Sequence, residues 1–145
     1  MAVRVLIDTN VLLDYLLDRE PYGEMARWIV KACQRQQIFA CVASHSISNI
    51  FFILRKDFTI EERRTILLDI CELFDVEGIN KDKLQNALVN EDFQDFEDCL
   101  QMECAISYHA DYIVTRNLPD FKSSIIPCLE PEQFYQMMHD RGKTN

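Results

Sequence analysis

Carboxylate side chains stand beside several of the apolar stretches of this sequence. Asp8 directly follows Val3–Ile7, which is short, β-branched and almost wholly apolar. Asp95 and Asp98 come just before an apolar stretch that begins at Cys99. They are three residues apart, a spacing that puts both on one face of a helix. Because an unpaired carboxylate is costly to bury, acids beside buried segments are candidates for a functional site.

A second polar group follows the apolar stretch Tyr112–Val114. It consists of Thr115, Arg116 and Asn117, with Asp120 slightly further along the chain. The Thr115 hydroxyl is suited to holding a carboxylate or a water molecule in place. The Arg116 guanidinium either contacts a substrate phosphate or pairs with an acid, and the sequence leaves both interpretations open.

A hydrolytic site is expected if the fold gathers Asp8, Asp98 and Asn117 at one place. Two carboxylates about 4 Å apart repel each other by about 4 kcal/mol at an effective dielectric constant of about 20. A Mg²⁺ or Mn²⁺ ion prefers oxygen ligands and relieves that repulsion. Such an ion also acidifies and orients a bound water and stabilises negative charge on a phosphodiester oxygen. Hydrolysis of a phosphodiester bond is therefore the expected reaction.

Each of these residues also has an ordinary structural interpretation. Asp8 suits a helix cap or a turn, although Asn10 could cap the following helix instead. The acids at the start of the predicted helix over 95–108 complement the helix dipole. Asn117 and Asp120 are common turn residues. The functional hypothesis therefore depends on the convergence of these side chains and not on any one of them.

The elements that would position these side chains alternate between strands and helices. Strands are predicted over 3–7, 38–42 and 112–114, with weaker candidates over 74–76 and 124–126. Helices are predicted over 11–17, 24–37, 44–56, 60–73, 80–89, 95–108 and 132–139, the fourth opened by a capping box of Thr59 and Glu62. This order predicts an α/β fold, a three-layer α/β/α sandwich with a central, mainly parallel sheet of four or five strands. Such sheets bind ligands at the carboxyl ends of their strands, where these polar residues fall.

The length and composition favour one globular domain. The 145 residues fit a single domain over 1–140, followed by a polar tail over 141–145. The longest apolar runs are far shorter than a membrane span, and the first residues lack the pattern of a secretory signal, so we expect a cytoplasmic protein with no membrane contact. The six cysteines lack C-x-x-C spacing and are interpreted as reduced core thiols.

The net charge of -9 opposes nonspecific binding to nucleic acids, which depends on neutralising phosphates with Lys and Arg. A role with nucleic acids therefore needs a local basic patch, a metal ion or a basic partner.

Three stretches resemble the motifs of a known family in order and spacing. "LIDTNVLLDYL" resembles the opening motif of PIN domains, the fold of the VapC-type toxin ribonucleases, "DFEDCLQMECA" its third acidic motif, and "ADYIVTRNLPDF" its last strand and turn. The resemblance implies an endoribonuclease that uses Mg²⁺ or Mn²⁺ on single-stranded RNA, an antitoxin partner and a homodimer. It assigns the acidic positions to Asp8, Asp98 and Asn117, with Asp120 as a nearby substitute and Asp95 as an additional ligand.

The sequence departs from that family at the second acid. Members typically carry a glutamate in a pattern like S-x-x-x-x-N-E-L, whereas the equivalent stretch here is "SHSISNIFFILRK". Asn49 fits the asparagine and Ile50 falls where the glutamate is expected. Asn49, Ser46 or Ser48 could supply a neutral oxygen instead, and His45 is interpreted as a structural residue.

Three functions therefore stay open at this point. The leading hypothesis is a metal-dependent endoribonuclease, the toxin of a toxin–antitoxin pair. The alternative is a catalytically weak or inactive PIN-fold protein that binds nucleic acid or regulates. A phosphohydrolase acting on small phosphate esters is disfavoured, because the sequence lacks a D-x-D motif and a Gly-rich phosphate loop.

Overall fold

The computed structural model describes residues 2–144, and the side chains of residues 2–142. The strands are β1 (Val3–Ile7), β2 (Ile38–Ala43), β3 (Asp75–Glu77), β4 (Tyr112–Val114) and β5 (Cys128–Leu129). The α-helices are α1 (Thr9–Leu16), α2 (Gly23–Gln34), α3 (Ser44–Ile53), α4 (Ile60–Leu73), α5 (Lys81–Val89), α6 (Phe96–Ser107) and α7 (Pro131–Thr144). Short 3-10 turns occupy Leu54–Lys56 and Leu118–Phe121.

The strands form one five-stranded sheet in the order β3-β2-β1-β4-β5. Every neighbouring pair is parallel, and β1 lies in the middle, where Leu6 pairs with Cys41 of β2 and Ile7 with Val114 of β4. The chain moves from β1 to one side of the sheet and returns to β4 on the other side. The carboxyl ends of β1 and β4 therefore flank the point where the strand order reverses, which is where such sheets bind ligands.

Each face of the sheet is covered by its own set of helices. Alternate residues of β1 point to opposite faces, so Val5 and Ile7 join one apolar core while Leu6 joins the other. The first core includes buried residues of α1, α2, α3, α4 and α7, and the second includes those of α5 and α6. The predicted three-layer α/β/α sandwich with a parallel sheet is thus confirmed.

The strand predicted over 124–126 is wrong. Ile125 is exposed, and the Ser124 hydroxyl bonds both the N–H and the carbonyl of Ile126, so this stretch forms a turn. The fifth strand lies two residues beyond Ile126, where Ile113 N–H donates to Pro127 and Thr115 N–H donates to Leu129. A strand of two residues has too little apolar pattern to be recognised from sequence.

The helix termini follow the predicted pattern with small shifts. The Thr59 hydroxyl accepts from the N–H of Glu62 and the Glu62 carboxylate accepts from the N–H of Thr59, which confirms the capping box. The last helix is longer than predicted, because residues assigned to a polar tail are helical as far as Thr144. Asn145, the end of that tail, lies outside the described residues. In the described part of the chain, no helix has the length and hydropathy needed to cross a membrane.

Candidate active site

Asp8 lies at the carboxyl end of β1, directly beside β4. Its N–H donates to the carbonyl of Val114 at 3.0 Å, which extends the pairing of the two strands by one residue. Its carboxylate accepts from Thr9 N–H at 2.7 Å and from the Thr115 hydroxyl at 2.8 Å. Asp8 is therefore the N-cap of α1, the role that Asn10 could also have taken, and its side chain is only 4% exposed.

A small polar network supports this carboxylate from α3 and α6. Gln101 Nε2 donates to Ser46 Oγ at 2.9 Å and to Thr9 Oγ1 at 3.1 Å, and lies 3.5 Å from Asp8 Oδ1. The Ser46 and Thr9 hydroxyls also bond each other at 2.7 Å. The arrangement fixes Asp8 from several sides and leaves the buried Gln101 Oε1 without a hydrogen-bond partner among the described residues.

Further acids stand at the N-terminus of α6. Asp95 caps this helix, and its carboxylate accepts from the N–H of Asp98 at 3.0 Å. Burial raises the pKa of the Asp98 carboxyl to about 7, and the nearby charges of Asp95, Asp8 and Asp120 add to that rise. Burial likewise raises the pKa of Asp8, although the bonds from Thr115 and Thr9 and the charge of Arg116 oppose the rise. A proton or a cation is therefore favoured at this place.

Asp8, Asp95 and Asp98 line one cleft of about 350 Å³ at the carboxyl edge of the sheet. Gln101 contributes to its inner wall, and α3 forms the opposite side. The cleft therefore joins the end of β1 to one face of α3 and to the N-terminal part of α6, as the predicted convergence requires for Asp8 and Asp98.

The orientation of α3 explains why position 50, where the family pattern has its second acid, does not contribute to the cleft. The helix turns His45, Asn49, Phe52 and Ile53 toward the cleft, at the spacing of one helical face. Ile50, where the family pattern has its glutamate, is fully buried in the apolar core. An acid at position 50 would therefore not reach the cleft in this structure.

His45 and Ser46 occupy different surroundings at the start of α3. His45 lines the cleft, and burial lowers the pKa of its imidazole, so the ring is neutral at neutral pH. Ser46 is fully buried behind Asp8 in the polar network described above. Ser48, the other candidate for a neutral oxygen, is exposed and does not line the cleft.

Arg116 pairs with an acid, which is one of the two interpretations left open by the sequence. Its Nε and Nη2 donate to the Asp14 carboxylate at 2.6 and 3.1 Å, and its guanidinium lies 4.0 Å from the centre of the Tyr22 ring. Arg19 adds a second cation, 3.7 Å from Asp14. The bidentate pair holds the turn after β4 against α1.

Asn117 and Asp120 lie just outside the cleft. The N–H of Asn117 donates to the Thr115 hydroxyl at 3.0 Å, the same hydroxyl that holds Asp8. Asp120 lines a neighbouring cavity of about 440 Å³, whose wall it shares with Asp95. Its charge raises the pKa of both Asp8 and Asp98, so it contributes to the same electrostatic field.

The donor set of the cleft fits a hard divalent ion. Carboxylate and amide oxygens are the ligands of Mg²⁺ and Mn²⁺. Burial, and after it the charges of neighbouring acids, raises the pKa of Asp98, and a bound cation would stabilise its charged form. Within the described residues, no group of three or more His, Cys, Asp or Glu side chains forms a ready-made ion site. Mg²⁺ often binds through one or two carboxylates and keeps several waters, so Asp8 and Asp98 are enough to hold it.

A parallel sheet covered by helices, with acids where the strand order reverses, belongs to the class of open α/β folds that bind ligands at that point. The sequence model of the PIN domain matches residues 4–119, and the chain belongs to this family. A search among curated proteins finds no significant match to the chain.

Solved structures with the same fold include proteins from toxin–antitoxin complexes. A chain of a toxin–antitoxin complex from Klebsiella pneumoniae has a TM-score of 0.66 and 18% identity, with 88% of this chain and 97% of that one covered. A chain of VapBC2 from Rickettsia felis, bound to a DNA fragment from their promoter, has a TM-score of 0.60 and 18% identity, over 88% and 98% of the two chains. A chain of VapBC-1 from nontypeable Haemophilus influenzae has a TM-score of 0.61 and 16% identity, over 90% and 99%. At these identities the likeness concerns the fold.

Sequence reasoning missed three residues that shape the site. Asp14 interrupts a run of apolar residues, which is the sequence signal of a buried acid, and in the structure it lies beside two arginines. Gln101 and Glu97 stand one helical turn apart on α6, on the face that carries Asp98. The polar Gln101 inside the apolar stretch 99–105 was the visible sign of a buried network.

Proposed function

We propose that this protein is a divalent-metal-dependent endoribonuclease that hydrolyses phosphodiester bonds of single-stranded RNA. The observation that carries the proposal is that Asp8 and Asp98 line one cleft at the carboxyl edge of the sheet. The raised pKa of Asp98 supports a cation at that place. Membership of the PIN domain family supports the same reaction class.

Asp8 and Asp98 would hold the Mg²⁺ or Mn²⁺ ion, and Asp95, Asn117 and Asp120 are proposed as further or water-bridged ligands. The bound ion would supply an acidified, oriented water and would balance charge on a phosphodiester oxygen. Among residues 2–142, the cleft lining contains acids but no Lys or Arg, so it repels RNA, and balancing its charge is also a condition for substrate entry.

The chain's own residues position the reacting groups. The Thr115 hydroxyl and the Thr9 N–H fix both oxygens of Asp8, so its carboxylate keeps one orientation. Burial raises the pKa of the Asp98 carboxyl to about 7. Near neutral pH this group can therefore lose its proton and bind a cation, or accept a proton from water. The Arg116–Asp14 pair anchors the turn that carries Thr115.

We also propose a protein partner and self-association. The solved structures with this fold include toxin–antitoxin complexes, which supports an antitoxin partner. A basic antitoxin segment would suit the acidic cleft and the net charge of -9. The homodimer and the cytoplasmic location expected from the sequence stay predictions, which light scattering and cell fractionation would test.

RNA cleavage with Mn²⁺ tests the proposed reaction. Wild-type protein is expected to cut a mixed-sequence single-stranded RNA, and Asp8→Asn is expected to lower the rate by about a hundredfold or more, because one charged ligand of the ion is lost. Glu132→Gln, an exposed first-turn acid of α7, is the matched control and should leave the rate unchanged. Equal rates for the wild type and Asp8→Asn would remove the proposal.

The alternative is a PIN-fold protein that binds RNA or has a regulatory role and does not cleave RNA. The observation that favours it is that the cleft-facing side of α3 carries no acid. In the same assay, this alternative predicts that the protein binds RNA in the presence of Mn²⁺ but that the RNA stays intact with the wild type and with every variant.

A further inference from the structure

Helix α3 presents an amide to the cleft at the place where an acid would be useful. Asn49 stands one helical turn after His45, and both line the cleft. The Asn49 side chain does not end in solvent, because its Nδ2 donates to Glu97 Oε2 at 3.2 Å. Glu97 belongs to the first turn of α6, next to Asp98, and lines the same cleft.

We propose that Glu97 supplies the cleft carboxylate that α3 lacks. Asn49 holds it across the cleft, and it binds the divalent ion of Asp8 and Asp98 through a water, because these three acids of the described chain do not form a ready-made ion site. The inference rests on the proposed function and names a residue that the family's acidic motifs do not assign. In this arrangement an acid from α6 replaces an acid from α3, and Asn49 is its positioning residue.

The hydrogen bond leaves Glu97 able to bind a cation. A carboxylate has about four acceptor sites, and Asn49 engages Oε2 through one bond. Glu97 is exposed to the open side of the cleft, so its charge is not costly in the absence of an ion. A carboxylate that one hydrogen bond orients, and that keeps free acceptor sites, is suited to bind a cation.

The wall of the cleft carries independent evidence for a ligand. Gln101 is 2% exposed and lines the cleft, yet its Oε1 has no hydrogen-bond partner among the described residues. A buried carbonyl oxygen without a partner is costly, and a water or a cation bound in the cleft would remove the cost. Gln101 and Glu97 are four residues apart on α6, so this oxygen and the Glu97 carboxylate lie on one face of the helix.

The same helix provides a matched control for Glu97. Glu103 is also a glutamate of α6 held by an asparagine of a neighbouring helix, since Asn86 Nδ2 of α5 donates to its Oε1 at 3.0 Å. Glu103 does not line the cleft. The two glutamates share chemistry, helix and type of partner, and they differ in which of them faces the site.

Calorimetric titration with Mn²⁺ tests the proposal, using the full chain at pH 8. Glu97→Gln is expected to weaken Mn²⁺ binding by about tenfold or more, in the range found when a group supporting a metal site is lost, whereas Glu103→Gln keeps the wild-type affinity. Circular dichroism and thermal melting without metal confirm that both variants are folded. Equal affinities of the wild type and Glu97→Gln would overturn the inference.

A second variant exchanges the two functional groups across the cleft. Asn49→Asp combined with Glu97→Gln returns a carboxylate to α3 and puts an amide on α6, so it keeps the charge of the pair. It is expected to recover most of the Mn²⁺ affinity lost in Glu97→Gln alone. No recovery together with an unchanged melting temperature would contradict a role for this pair of positions in holding the ion.

The outcomes separate this inference from the proposed function. If the wild type binds Mn²⁺ and loses it in Asp98→Asn but not in Glu97→Gln, the ion site stands and the role of Glu97 falls. If the wild type binds no Mn²⁺, both fall. If Glu97→Gln and Asp98→Asn both weaken binding while Glu103→Gln does not, both stand.

Discussion

Asp8 and Asp14 are two buried carboxylates at opposite ends of the same short helix, and their surroundings differ in charge. Asp14 is 1% exposed and lies against two cations, with a bidentate pair to Arg116 and a longer contact to Arg19. Asp8 is almost as buried, but its hydrogen-bond partners are neutral: the Thr115 hydroxyl, the Thr9 N–H and, at 3.5 Å, the Gln101 amide. Asp98 lies nearby.

The comparison distinguishes an acid that is balanced within the protein from one that is not. The charge of Asp14 is balanced by its arginines, so this residue joins the turn after β4 to α1 and needs nothing from solution. Asp8 and Asp98 share a region where negative charge accumulates, and burial raises the pKa of both. Residual charge of this kind marks a functional site more reliably than burial alone.

Removing the balanced acid is expected to have the largest effect on folding. Asp14→Asn should lower the free energy of unfolding by about 3 kcal/mol, because it leaves a half-buried guanidinium without its carboxylate. Urea denaturation at pH 7 measures the change.

Asp18→Asn is the matched control for this prediction. Asp18 forms an ion pair with Arg27 on the surface, where both side chains are well exposed, and its loss should cost less than about 1 kcal/mol. Similar costs for the two substitutions would break the distinction between the balanced acid and an ordinary surface pair.

Removing an unbalanced acid should have a smaller effect of opposite sign. The folded-state pKa of Asp98, about 7, lies above its ordinary value of 3.8, so between these pH values the folded protein holds a proton that the unfolded chain has lost. The contribution of Asp98 to stability therefore declines as the pH rises through this window. Without metal, Asp98→Asn should be more stable than the wild type by about 1 kcal/mol at pH 8, allowing for solvent screening, and equal to it near pH 4.

Thermal melting of the wild type and Asp98→Asn from pH 4 to pH 8 measures this difference. Asp69→Asn, which removes an exposed acid of α4, should follow the wild-type profile. A constant difference between Asp98→Asn and the wild type across the pH range would contradict the raised pKa of Asp98.

Much of the fold could be predicted from local pattern. The strands β1 and β4 were found because their residues are apolar on both sides of a covered parallel sheet, and the capping box fixed the start of α4. The fifth strand, β5, could not be predicted at its observed position, because its two residues are defined by hydrogen bonds to β4 and its neighbours and not by their own sequence.

The site was predictable only in part, since it depends on contacts across the chain. Asp8 and Asp98 could be proposed because the carboxyl ends of strands meet at one edge. The pairing of Arg116 with Asp14 joins residues about a hundred positions apart, and nothing local distinguishes it from a phosphate contact. The bond from Asn49 to Glu97 also joins distant parts of the sequence, and it could not be predicted because it depends on how α3 and α6 face each other.

Titration of the metal-free protein with Mn²⁺ by calorimetry tests the central claim most directly. If the unbalanced charge of Asp8 and Asp98 forms a divalent-ion site, the wild type binds Mn²⁺ with millimolar or tighter affinity at pH 8, Asp98→Asn loses that binding, and Asp69→Asn keeps it. Absence of binding by the wild type, or the same affinity in Asp98→Asn, would contradict the account.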